Sequence, residues 1–164
     1  MQRRTYNEGT DLVLGEELFL FIDGVPVAYA TSANLAISAD SIDTSSKMSG
    51  VWKASMPGQL GYTLSSESLL SRTEGHNSFD TLLEMMAKRA PIEFAIGGSE
   101  GRNTDSTTDQ FAFDPAKAKY RGEAVITSLD LRTEVGSVCS SSTSLTGVGA
   151  LINAQTGVPV GEAA

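Results

Sequence analysis

Residues 16–32, EELFLFIDGVPVAYATS, decide how the rest of the chain is read. The stretch 16–22 is rich in Leu, Phe and Ile and too short for a helix. It reads as a strand, apolar on both faces and so well buried. Asp23-Gly24 follows directly. Both central residues of a type I′ turn need φ > 0, which makes Asp-Gly a strong hairpin signal. The return strand, residues 25–32, puts Val25, Val27 and Tyr29 on one face. Pro26 has no N–H to give to a ladder, so this strand is expected at a sheet edge or a bulge.

Working outward, the same period of two recurs. Residues 33–39 alternate, with Leu35, Ile37 and Ala39 opposite Asn34, Ala36 and Ser38. Residues 59–70 alternate again, with Leu60, Tyr62 and Leu64 opposite Thr63, Ser65 and Glu67. Between them, Asp40 to Gly58 has no period and reads as a long loop. Residues 92–97 (IEFAIG), 121–131 and 138–148 read as further strands, with Val125, Leu129 and Leu131 sharing one face. One helix stands out in SFDTLLEMMAKRAP, residues 78–91. Phe79, Leu82, Leu83, Met86 and Ala90 recur at helical spacing, and the Met85–Met86 pair reads as core filling. Asn77 is expected to cap it, Lys88 and Arg89 to close it, and Pro91 to stop it. Residues 98–118 read as a polar connection and 1–15 as an arm. The span 16–151 forms one domain, and 152–164 is a loose tail. The fold class is mostly β: a sandwich or half-open barrel with one flanking α-helix.

The composition narrows function. A chain of 164 residues with 40% hydrophobic content can bury a core without staples. The single cysteine, Cys139, cannot form an internal disulfide. The N-terminus lacks the apolar core of a signal peptide, and no apolar run is long enough to span a membrane, so synthesis and folding in a cytoplasm are expected. The net charge of −8 argues against a phosphate-gripping surface. Residues 8–23 hold Glu8, Asp11, Glu16, Glu17 and Asp23 without a cation, which reads as a solvated acidic surface.

Catalytic patterns are missing. His76 is the only histidine and stands in a polar turn, so no Cys–His pair with Cys139 is expected. Asp105 and Asp109 lack the alternating ligands of a Ca²⁺ loop. Gly97-Gly98-Ser99-Glu100-Gly101 is not followed by a helix that could hold phosphate. Gly147 and Gly149 lack a third glycine, so both read as turns or bends. No catalytic residue, cofactor or metal ligand is expected.

Two stretches carry a resemblance. LFLFIDGVPVAYATSANLAISAD (18–40) and SIDTSSKMSGVWKASMPGQLGYTLSSESL (41–69) resemble the phage major tail protein family, the tube subunits of long-tailed phages. The most specific part is Ile42-Asp43-Thr44-Ser45-Ser46-Lys47, followed by Trp52-Lys53 and Pro57-Gly58. The Phe/Leu-rich helix and Leu145-Thr146-Gly147-Val148-Gly149 follow in the same order. The resemblance covers about residues 16–151. It implies a virion structural protein, not an enzyme, that assembles with itself into stacked hexameric rings and forms the conduit for DNA ejection. Its implied partners are the tape measure, terminator and baseplate proteins, with double-stranded DNA passing unbound. Its implied location is the virion tail, after assembly in the host cytoplasm. Tubes of type VI secretion and contractile injection machines look similar, so a secretion tube remains the alternative. A small β-sandwich enzyme or sugar-binding module would need a pocket with convergent polar groups, and the single Trp52 makes sugar stacking a poor fit.

Two sets of candidate residues follow. Ile42, Met48, Val51, Trp52, Lys53 and Met56 are candidates for contacts between subunits. An apolar patch in a loop marks a partner surface, and Trp is a favoured anchor. The competing reading folds Trp52 back onto its own core. Ser65 and Glu67 on one strand, with Ser128 and Asp130 on another, are candidates for a channel wall; bulk solvent or a neighbouring subunit are the alternatives.

Overall fold

The structure, a computed structural model, describes residues 18–27, 30–70, 78–99 and 113–162. In chain order the elements are β1 (Phe19–Ile22), β2 (Val25–Pro26), β3 (Ala30–Asp43), β4 (Ser55–Leu69), α1 (Phe79–Ala87), β5 (Ile92–Ser99), β6 (Phe113–Arg132), β7 (Ser140–Asn153) and β8 (Val158–Pro159). The strands form one antiparallel sheet in the order β2-β1-β5-β6-β7-β4-β3, with β8 added to β7. The sheet is open. It carries a core of Leu20, Ile22, Tyr62, Leu64, Ile92, Phe94, Ala124, Leu145 and Leu151, with Leu82 entering from α1.

The opening hairpin forms as its residues dictate. Asp23 and Gly24 both take positive φ, 52° and 78°, and return the chain so that Ile22 pairs with Val25. The return is shorter than expected. β2 stops at Pro26 on the sheet edge, and β3 begins separately at Ala30. Leu20, Phe21 and Ile22 are buried, so both faces of β1 are covered.

Several expectations are corrected. Residues 40–43 and 55–58 are strand, not loop: β3 and β4 pair out to Asp43 and Ser55, leaving only 44–54 as the connection. Residues 113–118, assigned to a polar connection, open β6. The register of β6 against β7 shifts between Ile126 and Ser128. That bulge puts Val125 on the face opposite Leu129 and Leu131, rather than beside them. Cys139 lies just before β7, its carbonyl accepting from the Leu70 amide at 2.8 Å. The tail is not loose throughout, because Val158 and Pro159 pair with Asn153 and Ile152.

Helix α1 begins at Phe79 with Ser78 at the N-cap position, where its hydroxyl makes no capping hydrogen bond; Asn77, expected to cap the helix, lies outside the described residues. Lys88 and Arg89 follow the last turn, and Arg89 adopts φ 53°, ending the helix before Pro91. Only Leu82 is fully buried. Leu83 and Ala90, expected in the core, are exposed.

Gly147 is not a turn. It lies inside β7 opposite Ala124, and its missing side chain makes room for the Tyr62 ring. Gly122 on β6 flanks the same ring, since a Cβ there would stand 2.8 Å from the Tyr62 hydroxyl. That hydroxyl donates to the Glu123 carbonyl at 2.8 Å. Tyr62 therefore ties β4 to β6 beneath β7, and its ring packs against Phe94 with centroids 5.8 Å apart. Gly149 takes φ 73° within the irregular stretch of β7.

Candidate assembly surfaces

The β3–β4 hairpin leaves the body of the sheet. β4 pairs with β7 only from Thr63 onward, whereas its pairing with β3 begins at Ser55. At ~3.3 Å per residue, the unaccompanied part projects about 25 Å. Polar residues build its tip from within. Thr44 N–H donates to Ala54 O at 3.0 Å, and the Ser45 hydroxyl both donates to Ala54 O and accepts from Ala54 N–H. Ser49 Oγ accepts from Ser46 N–H at 2.9 Å, and Gly50 supplies φ 68°. Asp43 accepts from Ser45 N–H at 2.8 Å and pairs with Lys53 at 3.4 Å. Hydrogen bonding by Ser45, hydroxyl first and amide second, holds the Asp43 carboxyl below its ordinary pKa, with a smaller contribution from Lys53.

The tip thus satisfies much of its own backbone and turns apolar side chains outward. Met48 is 95%, Val51 100% and Trp52 86% exposed, while Ile42 and Met56, a cross-strand pair, are half exposed. All six candidate contact residues stand on this projection. Trp52 does not fold back onto the core. Ile37 and Leu60, also exposed, extend the apolar surface toward the body.

The four wall candidates come from two strands separated by β7, and the register brings them together. Glu67 pairs with Ser142, which pairs with Asp130; Ser65 pairs with Ser144, which pairs with Ser128. Residues directly opposite share a face, so these form two rows across β4, β7 and β6. β3 lengthens them with Ser32 and Asn34. The next row is Ala36, Thr63, Thr146 and Val125. Across three rows on four strands the side chains are small or acidic, with no Lys or Arg; Arg132 stands at the margin. The bulge after Ile126 aligns Ser128 and Asp130 with this face.

Among the described residues the sheet also has edges without a partner strand beside this face. There β3 pairs only with β4. β5 pairs with β6 no further than Ala124, so Val125–Arg132 meets β7 alone among the described strands. A concavity of about 440 Å³ lies elsewhere, lined by Asp23, Glu93, Phe94, Ala118 and Arg121 among others. The described residues contain no group of three or more His, Cys, Asp or Glu placed to hold a metal. His76, Asp105 and Asp109 lie outside the described residues, as does the arm.

Comparisons with known proteins bear on the family and the fold. The family model described as "Phage tail tube protein" matches residues 23–153. No curated protein matches the chain. Among solved structures, the chain is similar to the tail of an empty gene transfer agent particle in C6 symmetry: TM-score 0.65, 15% identity, 87% of this chain and 98% of that one. It is similar to the SPP1 tail tube, with TM-score 0.60 and 13% identity over 84% of this chain and 77% of that one. It also resembles a chain of the sheath–tube complex of the PVC extracellular contractile injection system. There the TM-score is 0.57 at 12% identity, over 90% and 97% of the two chains. At such identities the likeness is one of fold.

Proposed function

The chain belongs to the phage tail tube protein family, and we propose that it assembles into stacked six-subunit rings whose bore conducts DNA. The observation that carries this reading is the projecting hairpin. A soluble subunit gains nothing from a ~25 Å arm ending in bare Met48, Val51 and Trp52, whereas a stacked ring buries it. The unpaired edges of β3 and of Val125–Arg132 are suited to lateral pairing between neighbours in a ring, because each exposes backbone groups that another strand can satisfy. Such pairing would turn the small, cation-free face toward one side of a closed wall. Three rows without Lys or Arg, with Arg132 only at their margin, give passing phosphates little to grip, since binding requires cations that release counterions from DNA.

The fold is shared with a tube of a contractile injection system, and a bore that conducts a protein effector is the second reading. Neighbouring genes separate them: capsid, portal and tape-measure genes against sheath and ATPase genes of a secretion cluster. Terminator, baseplate and tape measure proteins are the expected partners in the first case, in a virion tail assembled in the host cytoplasm. The direct test is light scattering across concentration, followed by negative-stain microscopy. Rings or tubes are expected. A species that stays monomeric at every concentration, in a phage whose tail tube does not contain it, would refute the reading.

A further inference from the structure

The sheet has a second apolar extremity at its other end. β4 runs from Ser55 beside the hairpin tip to Leu69, which pairs with Ser140 at the start of β7. Its length, at ~3.3 Å per residue, separates the tip from the β6–β7 turn by about 46 Å. That turn, residues 133–139, is tight: Ser137 N–H donates to Glu134 O at 3.2 Å, and Gly136 takes φ 88°. Val135 at its apex is fully exposed, and Val138 is 67% exposed. Leu70 is bonded to Cys139 beside them and is partly exposed too. Nothing in the subunit requires two bare valines on a rigid turn.

The two extremities are complementary in charge as well as apolar. Between Thr44 and Ala54 the tip carries Lys47 and Lys53 and no acid. Lys53 is paired with Asp43, whereas Lys47 is exposed and has no ion pair among the described residues. Between Thr133 and Cys139 the turn carries Glu134, which is exposed, and its cation neighbour Arg132 stands at the base, paired across the ladder with Ser140. Two different patches at opposite ends of one molecule make a head-to-tail contact, which repeats along an axis instead of closing as a dimer does.

We propose that the Glu134–Val138 turn is the docking surface for the hairpin tip of a second copy of this chain, with Lys47 facing Glu134 and the Met48, Val51 and Trp52 cluster seated on Val135 and Val138. The proposal rests on the tube reading and adds the acceptor, its register and its polarity. Each subunit then gives its tip to the ring on one side and its turn to the ring on the other. The charge pair selects orientation, because a reversed subunit brings Lys47 to Lys47.

The test is charge reversal in the full chain. Lys47→Glu and Glu134→Lys alone should each raise the concentration needed for tubes roughly tenfold. Free rings should accumulate, and the unfolding temperature should stay unchanged because both side chains are solvated in the subunit. The combined swap should return the threshold to within about twofold of the original. Val138→Ser should weaken tubes with no rescue by the swap. Single reversals that polymerise at the original concentration, or a swap no better than its worse parent, overturn the docking while leaving the tube reading intact. Tubes that form normally but fail only to join another tail protein also overturn it, assigning the turn to a different partner. An unsubstituted chain that forms neither rings nor tubes overturns both.

Discussion

Replacing Gly147 by Ala should destabilise the subunit far more than a single methyl on a strand ordinarily does. An alanine Cβ there would overlap three atoms of the Tyr62 ring, Cδ2, Cε2 and Cζ. The ring has little freedom to retreat. Gly122 and Phe94 flank it, and its hydroxyl is tied to Glu123 O at 2.8 Å. Two costs follow: overpacking, about 1–3 kcal/mol, and loss of the buried hydrogen bond, about 1 kcal/mol. The sum, about 2–4 kcal/mol, corresponds to a fall in Tm of roughly 5–15 °C for a domain of this size. The assay is thermal or urea unfolding at a concentration below assembly, so that lattice contacts do not support the fold. Pairing Gly147→Ala with Tyr62→Leu removes the overlapping atoms, so the double variant should be more stable than the sum of the two single losses implies. A Gly147→Ala subunit within about 0.5 kcal/mol of the parent, or strictly additive losses, would refute the reasoning.

Trp52→Ala should weaken polymerisation severalfold with no change in subunit Tm, since the ring is exposed before assembly; a collapse in Tm with normal assembly of the surviving protein would return Trp52 to the core. Burial, with Glu123 as a second cause, raises the Tyr62 phenol above its ordinary pKa of 10.0. Its contribution to stability is therefore fully present below about pH 10 and is lost as pH climbs through the folded value, a loss that Tyr62→Phe should abolish in alkaline unfolding curves. Glu67→Lys with Asp130→Lys should slow DNA ejection from assembled tails. Charges act over only about 8 Å at physiological salt, so an unchanged rate, with both side chains located on the bore, would show that wall charge does not control passage.

The sequence was legible where burial wrote an alternation. Tyr62 and Leu64 announced β4, and Asp23-Gly24 announced the turn between β1 and β2, because one buried face or one φ permitted few residues. Pattern failed where neither face is buried. Residues 40–43 and 55–58 form an unaccompanied ladder in solvent, so no periodicity was imposed on them, and the extension of the hairpin went unread. The bulge after Ile126 has no glycine to mark it, and a period of two carried across it put Val125 on the wrong face. Gly147 failed for the opposite reason. Its cause is Tyr62, 85 residues away by their numbers, and no local rule distinguishes a glycine that makes room from one that turns. The exposure of Met48, Val51 and Trp52 was legible from their mismatch with a loop. The exposure of Val135 and Val138 was not, because two valines in a short span look like strand.

The serine run of β7 connects the fold to the proposed wall. Ser141 and Thr143 face inward and are buried, whereas Ser142 and Ser144 face the acidic side. The inward hydroxyls are not wasted: Ser141 shares a hydrogen bond with Ser68 at 2.9 Å, and Ser66 bonds to Ser32 O at 3.1 Å. Among the described residues, Thr143 Oγ1 is the one side-chain oxygen or nitrogen buried without a partner, a cost the strand tolerates. At this end of β4 and β7 the sheet is held by backbone ladders and short polar bridges more than by bulky side chains. That choice limits stability per residue, but it leaves the outer face of β7 covered by small side chains. A Lys or Arg would offer phosphates a contact, and a large apolar residue would make the subunit sticky before assembly. Small hydroxyl residues avoid both.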